Sequence, residues 1–408
     1  MTEAANRPVV DWRSLPADDP VLADHAASWR SAYVHVPFCR RRCPYCDFAV
    51  VTPQERPAGS TVGDYVDALL AEIDMEPPWR PLDAVNFGGG TPTTLDAADV
   101  ERVLAALQER FGLAADAEVS IEANPEDLTA AYAARLAAAR VNRISLGVQS
   151  FDPAVLAALG RAHSPEQSAR AVAACRKAGI ASISVDLIFG TAGESVDSWS
   201  ETVAQALALE PDHLSAYALT IERGTALSRA VAAGAASPDP DVQADMYEAL
   251  VDQVRATPLV HYEISNFARK GHACRYNLAT WAQGEYVAFG LGAHGHRGRR
   301  RRRNVRRLDR YLEAIASGQR PEAGADLVGG GAAEKERLML GLRRRAGVVA
   351  GVGGRALAAS EAGTRLAAAG VIEHTLGRLV IRRPLLTDEA NRAILDLRDR
   401  AVRDDTSG

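Results

Sequence analysis

The sequence predicts an α/β chain: a partial (β/α)6 parallel barrel followed by a small C-terminal α+β, winged-helix-like domain. From residue 31 to about 218, short apolar, β-branched runs alternate with longer Ala/Leu-rich amphipathic stretches, the rhythm of βα units joined by crossovers. Polar or reactive residues stand at or near the carboxyl end of every candidate strand, as on the upper face of a βα barrel; a doubly wound sheet would gather them at one switch point. Helical stretches and a short strand follow residue 331.

The first strand is expected at residues 33–36 and runs into a loop with three cysteines. Helix 62–76 leads to strand 84–87, which ends in three glycines. Helix 97–111, with Asp96 as its N-cap, precedes strand 119–123, which carries Glu122. Helix 130–139 after Thr129 leads to strand 143–146, followed by Gln149. Ser164-Pro165 opens helix 165–178, since Ser caps and Pro suits the first helical position. Strand 182–188 carries Asp186, helix 195–209 follows, and strand 213–217 ends on Tyr217. Residues 219–300 are less regular, with a surface connection at 232–240. Helices 332–344 and 356–369, strand 378–381 and a helix from Asp388 make the small domain. The expected boundaries are an N-terminal extension 1–30, the barrel 31–235, a barrel extension 236–320, the small domain 321–401 and a tail 402–408, both ends loosely held.

The 408 residues carry 47 Lys plus Arg against 52 Asp plus Glu, a formal charge of -5, which excludes a globally basic nucleic-acid binder. Hydrophobic residues at 47% and charged residues at 24% are ordinary for a soluble globular chain. No uncharged apolar run approaches the ~18 residues of a membrane span, and the acidic, Pro-containing start is unlike a secretory signal. Five cysteines, three of them within eight residues, do not form a secreted disulfide framework and point to a reducing cytoplasm. Cys175 reads as a buried small hydrophobe.

Cys39, Cys43 and Cys46 form a C-x3-C-x2-C loop directly after a strand. Three thiolates can hold three irons of a 4Fe-4S cluster and leave the fourth iron open to an outside chelator. A structural zinc would want a fourth ligand; Asp47 and Phe48 follow the triad, and His35 is the residue that could complete such a site. The run Gly88-Gly89-Gly90-Thr91-Pro92-Thr93 lets a ligand approach backbone amides, or is a plain turn.

Together the two motifs resemble the radical S-adenosylmethionine (SAM) superfamily. With Ile121-Glu122-Ala123-Asn124-Pro125, Ser145 to Phe151, Arg161 and Val185 to Gly190 in the same order, the chain looks like the branch containing oxygen-independent coproporphyrinogen III dehydrogenase and the haem chaperone HemW. The resemblance covers about residues 31–390 and is closest to HemW, since the dehydrogenase has a further Cys where Asp47-Phe48 stand here. It implies a barrel of radical SAM type, a 4Fe-4S cluster on Cys39, Cys43 and Cys46, and SAM as cofactor. Tyr33 and Tyr45 would flank cluster and SAM, Gly89, Gly90 and Thr91 would meet its amino-acid and sulfonium region, and Glu122, Gln149, Arg161 and Asp186 its polar and ribose groups. Haem or porphyrin as ligand, a haem-accepting protein and an electron donor are the implied partners. Delivery of haem to respiratory targets is the implied function; coproporphyrinogen III dehydrogenation and a diverged non-catalytic binding role are the alternatives, and use of the radical is left open.

Two departures from the family stand out. Its His-Asn-x-x-Tyr-Trp signature, associated with haem, reads Tyr276-Asn277-Leu278-Ala279-Thr280-Trp281, so the expected haem region carries Tyr276, Asn277 and Trp281, with His272, His294 and His296 nearby in sequence. Nine arginines lie between Arg297 and Arg310. Such a run reads as a solvated, self-repelling surface, or as a binder of haem propionates or of acidic lipid at the inner face of the membrane through Arg299 to Arg303. No aromatic residue interrupts residues 297–303, so no specific nucleic acid is expected.

Overall fold

The computed structural model describes residues 24–398. The extension up to residue 23 and the tail 402–408 lie outside the described residues. In chain order, β1 (Arg30–Val36), α1 (Val62–Met75), β2 (Leu82–Gly89), α2 (Ala97–Phe111), β3 (Leu113–Ala123), α3 (Ala130–Ala138), β4 (Arg143–Gln149), α4 (Pro153–Ala158), α5 (Pro165–Lys177), β5 (Ser182–Phe189), α6 (Val196–Ala208) and β6 (His213–Ala218) form the βα series. There follow α7 (Ala226–Ala232), α8 (Pro240–Val254), β7 (Val260–Glu263), β8 (Asn266–Ala268), α9 (Arg275–Trp281), β9 (Glu285–Phe289), β10 (His294–Arg297), β11 (Arg300–Asn304), α10 (Leu308–Ala316) and β12 (Glu322–Leu327). The chain continues with α11 (Gly330–Gly341), β13 (Val348–Val349), α12 (Gly351–Ala359), α13 (Glu361–Ala368), β14 (Ile372–Thr375), β15 (Arg378–Ile381) and α14 (Thr387–Leu395).

Contacts divide the chain into two compact units. The larger comprises Trp29–Leu259 and Glu285–Leu327. In it β1 to β6 lie side by side in chain order, each parallel to the next, the partial (β/α)6 barrel that the sequence predicts. Val34, Phe87, Ile121, Ile144, Leu146, Val185, Leu187 and Leu214 are buried and share one face of these strands, the face that the helices cover, while Tyr33, Asn86, Glu122, Ser145, Ser184 and Asp186 alternate with them on the other. In α2 the buried Val100, Val103, Leu104, Leu107 and Phe111 recur at helical spacing and form one stripe. Thr129 caps α3 as expected, its hydroxyl accepting from the Tyr132 amide, whereas the Asp96 side chain makes no cap and instead pairs with Arg135 at 3.4 Å.

On its other side β1 pairs in parallel with β9, and β10, β11 and β12 continue antiparallel. The arginine run is therefore a strand, not a uniformly repelling surface. Side chains alternate between the faces of a strand, and on one face Arg297, Arg302 and Arg320 converge on the Glu76 carboxylate at 3.3, 2.8 and 2.6 Å. Arg300 on that face pairs with Glu322 at 2.5 Å, and Arg301 on the opposite face with Asp326 at 2.8 Å. Local charge compensation of Arg300, Arg301 and Arg302, invisible in a linear reading, helps four consecutive arginines enter a sheet.

The smaller unit contains Val260–Gly284 and, among the described residues, 24–28 and 328–398. Its sheet β13-β15-β14 is antiparallel and packs with α11 to α14 around Leu338, Leu342, Leu357, Leu379, Ile381 and Ile394, the expected small α+β fold. The single helix expected over 356–369 is two, because Ser360 takes an extended backbone and its hydroxyl caps α13 at Gly363. A Cβ at Gly363 would overlap the Leu357 carbonyl, so only glycine allows this corner.

Candidate functional site

The carboxyl ends of the parallel strands bring most of the expected site residues together. The cysteine loop leaves β1 and is stitched down by backbone bonds: Val51 N–H donates to Pro37 O at 2.7 Å and Cys39 N–H to Val51 O at 3.1 Å. The glycine run at the end of β2 is stitched to the same loop, with Gly90 N–H donating to Val36 O and Thr91 N–H to Phe38 O, both at 2.8 Å. This close approach excludes side chains. A Cβ at Gly90 would stand 2.7 Å from the Pro37 carbonyl, and Gly89 has φ +108 with His35 where its Cβ would be.

Cys39, Cys43 and Cys46 are partly exposed, whereas Cys175 and Cys274 are buried. Around the three thiols runs a polar circuit. The Cys39 Sγ lies 3.5 Å from the Thr91 hydroxyl, which accepts from Asn124 Nδ2 at 3.2 Å. Asn124 Oδ1 accepts from Arg161, whose other terminal nitrogen donates to Cys43 Sγ at 3.8 Å. Arg161 also donates to the Gly147 carbonyl at 3.0 Å, and its buried Nε has no partner among the described residues. Burial pushes the Cys39 thiol up to about 11 and raises that of Cys46, so bare thiolates are disfavoured there without a cation. Tyr45 packs on Val155, Leu159, Ile188 and Leu219.

His35 does not face the triad as a ligand. Its Nε2 lies 2.9 Å from the Ala49 carbonyl, which can only accept, so that nitrogen carries the proton; Nδ1 then accepts from the Tyr33 hydroxyl at 3.1 Å. Burial drives the imidazole down to about 4, so it is neutral at pH 7. With both ring nitrogens engaged, the fourth zinc ligand that the sequence left open is not supplied by His35. Three partly exposed thiols with no fourth donor among the described residues fit a cluster held on three irons.

Beside the circuit lies a buried carboxyl pair. Glu122 accepts from the Gly89 amide at 3.3 Å, and its pKa is pushed up to about 7 by burial and then by Asp186. Asp186, likewise raised by burial, accepts from the hydroxyls of Ser145 at 2.6 Å and Ser184 at 2.7 Å. Tyr33, on β1, is raised by burial and by Glu122. Gln149 ends β4 with φ +67, and a Cβ on Gly147 would come within 2.8 Å of its amide nitrogen. Sequence reasoning missed Asn124, the link between Thr91 and Arg161, although it stands in the quoted Glu-Ala-Asn-Pro run. The expected haem residues Tyr276, Asn277 and Trp281 occupy α9 of the smaller unit, where the Arg343 guanidinium stacks 4.4 Å from the Trp281 ring.

A parallel partial barrel with a three-cysteine loop on its first strand and a glycine cradle on its second defines the radical SAM class, and the sequence profile of the Radical SAM superfamily matches residues 33–206. The chain is 39% identical over 393 residues to the haem chaperone HemW of Mycobacterium tuberculosis H37Rv, covering 94% of this chain and 99% of that one. HemW of Bacillus subtilis is 34% identical, with 78% and 84% covered. The chain belongs to the HemW family of radical SAM proteins. Its fold matches that of coproporphyrinogen III oxidase (HemN) from Escherichia coli with a TM-score of 0.76, at 21% identity and 92% coverage of each chain.

Proposed function

We propose that this HemW-like protein holds a 4Fe-4S cluster on Cys39, Cys43 and Cys46, binds SAM beside it, and carries haem for delivery to an acceptor protein. The polar circuit from Cys39 through Thr91, Asn124 and Arg161 to Cys43 carries the reading, because it joins the cysteine loop to the ends of β2 and β3. When bound, the cluster and SAM would supply one-electron chemistry at the open iron.

The chain's own groups would do the rest. The Gly89 to Thr91 backbone would admit the methionyl part without side-chain obstruction, and Arg161 would offer its unpartnered Nε to a carboxylate. Glu122 and Asp186 would accept from ribose hydroxyls, Gln149 would meet the remaining polar edge, and Tyr33 and Tyr45 would limit water. Haem handling rests on membership of the HemW family, with Tyr276 where relatives carry His. Tyr and His are both known axial ligands of haem iron. Among the described residues no helix is long and apolar enough to cross a membrane.

Anaerobic reconstitution with iron and sulfide tests the first part: the expected charge-transfer absorbance disappears in the Cys39, Cys43, Cys46 triple Ala variant, and equal iron uptake by that variant refutes it. For the haem part, titration of wild type and Tyr276→His should give a Soret band in both, stronger in the variant; no band in either removes the haem reading and leaves the cluster assignment standing.

A further inference from the structure

The ion pairs within the arginine strand separate arginines that are already matched from two that are not. Arg297, Arg300, Arg302 and Arg320 face Glu76 and Glu322, and Arg301 faces Asp326. Arg303 and Arg306 form no ion pair with a carboxylate among the described residues, and both are exposed. Arg303 is paired across the strands with His294 and Gly324, so it shares the face of His294, opposite the face that meets Glu76. Arg306 donates to the Asp47 carbonyl at 2.7 Å, one residue beyond Cys46. Burial and then Arg303, Arg306 and Arg301 lower the His294 imidazole, against Asp326, so Arg303 and Arg306 bear on the same neighbour.

Both guanidiniums act on the His294 imidazole, and Asp326, the carboxylate that also acts on it, is already paired with Arg301, so an arriving anion would offset the repulsion left between them. Guanidinium is also the side chain best matched to a carboxylate, through paired N–H donors.

We propose that Arg303 and Arg306 receive the carboxylates of an anionic tetrapyrrole, holding its propionate edge beside the cysteine loop. The proposal rests on the haem reading above and adds to it the place and chemistry of carboxylate recognition. It assigns the role to two arginines, not to the whole run from Arg299 to Arg303, most of which is engaged within the sheet.

The test compares ferric haem with its dimethyl ester, whose carboxylates are masked, by difference absorbance on the full chain. Wild type should bind the diacid about tenfold or more tightly than the ester, one tenfold step per charge-assisted contact being a modest expectation. Arg303→Gln/Arg306→Gln should lose that preference while binding the ester as wild type does. Arg310→Gln, which removes a charge paired with Glu313 at 2.8 Å, should keep it. Matching thermal midpoints would show that the double variant folds. A preference that survives in the double variant overturns the proposal while leaving haem binding intact. No binding of either compound by any variant removes the haem reading itself, and this proposal with it. Anionic phosphatidylglycerol vesicles provide the remaining arm: if the double variant loses sedimentation with them while its diacid preference is unchanged, the patch is a lipid surface and the proposal fails.

Discussion

Glu122 shows how one buried carboxyl ties the site to stability. Its pKa in the folded chain is about 7, against an ordinary 4.5, because burial and the nearby Asp186 disfavour the anion. A carboxyl raised on folding contributes fully below its unfolded pKa, and that contribution is lost as pH rises from about 4.5 to about 7. Glu122 should therefore contribute a loss of at most ~3 kcal/mol to the stability of the cofactor-free protein between pH 5 and pH 8, opposed by His35, whose lowered pKa makes its burial costlier at pH 5. Glu122→Gln, which keeps size and polarity but cannot ionise, should flatten that dependence; an unchanged profile in a melting series would show that Glu122 is already ionised at neutral pH. Arg161 makes a second prediction at this scale. Its fork serves Asn124, Gly147 and Cys43 at once, a geometry that a lysine ammonium cannot copy. Arg161→Lys should keep three-cysteine iron uptake but weaken SAM binding roughly tenfold or more, the scale of one lost charge-assisted contact. Equilibrium dialysis beside an iron assay separates the two effects.

At the scale of elements, the junction between the cysteine loop and the glycine run governs whether the site forms. Gly90 does not have a left-handed backbone, so its requirement is one of space: an added methyl would stand 2.7 Å from the Pro37 carbonyl carbon and oxygen, which are backbone atoms unable to rotate away. Gly90→Ala should cost roughly 1–3 kcal/mol by overpacking and lower iron incorporation by loosening the loop. Gly59→Ala is the matched control, because its φ of +80 strains the backbone but nothing lies within 4 Å. If both variants lose stability equally and take up iron alike, the close approach is not what shapes the loop. The βα series was legible because apolar runs and helical stripes report burial directly, and α2 and β15 stand where periodicity places them. The helix break at Ser360 and the failure of Asp96 to cap were not legible. Each depends on a neighbour distant in the packing or on a backbone turn, and a one-dimensional pattern carries neither. The site was legible as a set of motifs in order; Asn124, whose importance lies only in bridging Thr91 and Arg161, was not.

For the whole molecule, a formal charge of -5 over 408 residues says little, because charge is distributed by strand alternation rather than along the chain. Glu76 is the clearest case: its side chain is 8% exposed and faces three arginines drawn from β10, β11 and the loop before β12. The antiparallel extension of the sheet is thus held to the end of α1 electrostatically as well as by the buried Glu72, which accepts from Asn304, Tyr311 and the Gly290 amide at 2.7 Å each. Removing one partner of a buried ion pair leaves the other charge uncompensated, which costs about 3–5 kcal/mol. Here the exposed edges of Arg297 and Arg320, 31% and 36%, let water reach two of the three guanidiniums, while Arg302 at 11% has less access. Glu76→Ala should therefore fall at the lower end of that range, about 3 kcal/mol, and should restore part of the loss when Arg302→Leu is added, because the stranded charge is then gone. Hydrogen exchange should show protection lost first in β10 to β12 and retained in β1 to β6. Uniform loss across the sheet, or no rescue by Arg302→Leu, would mean that the extension is held by packing and the Glu72 network rather than by Glu76.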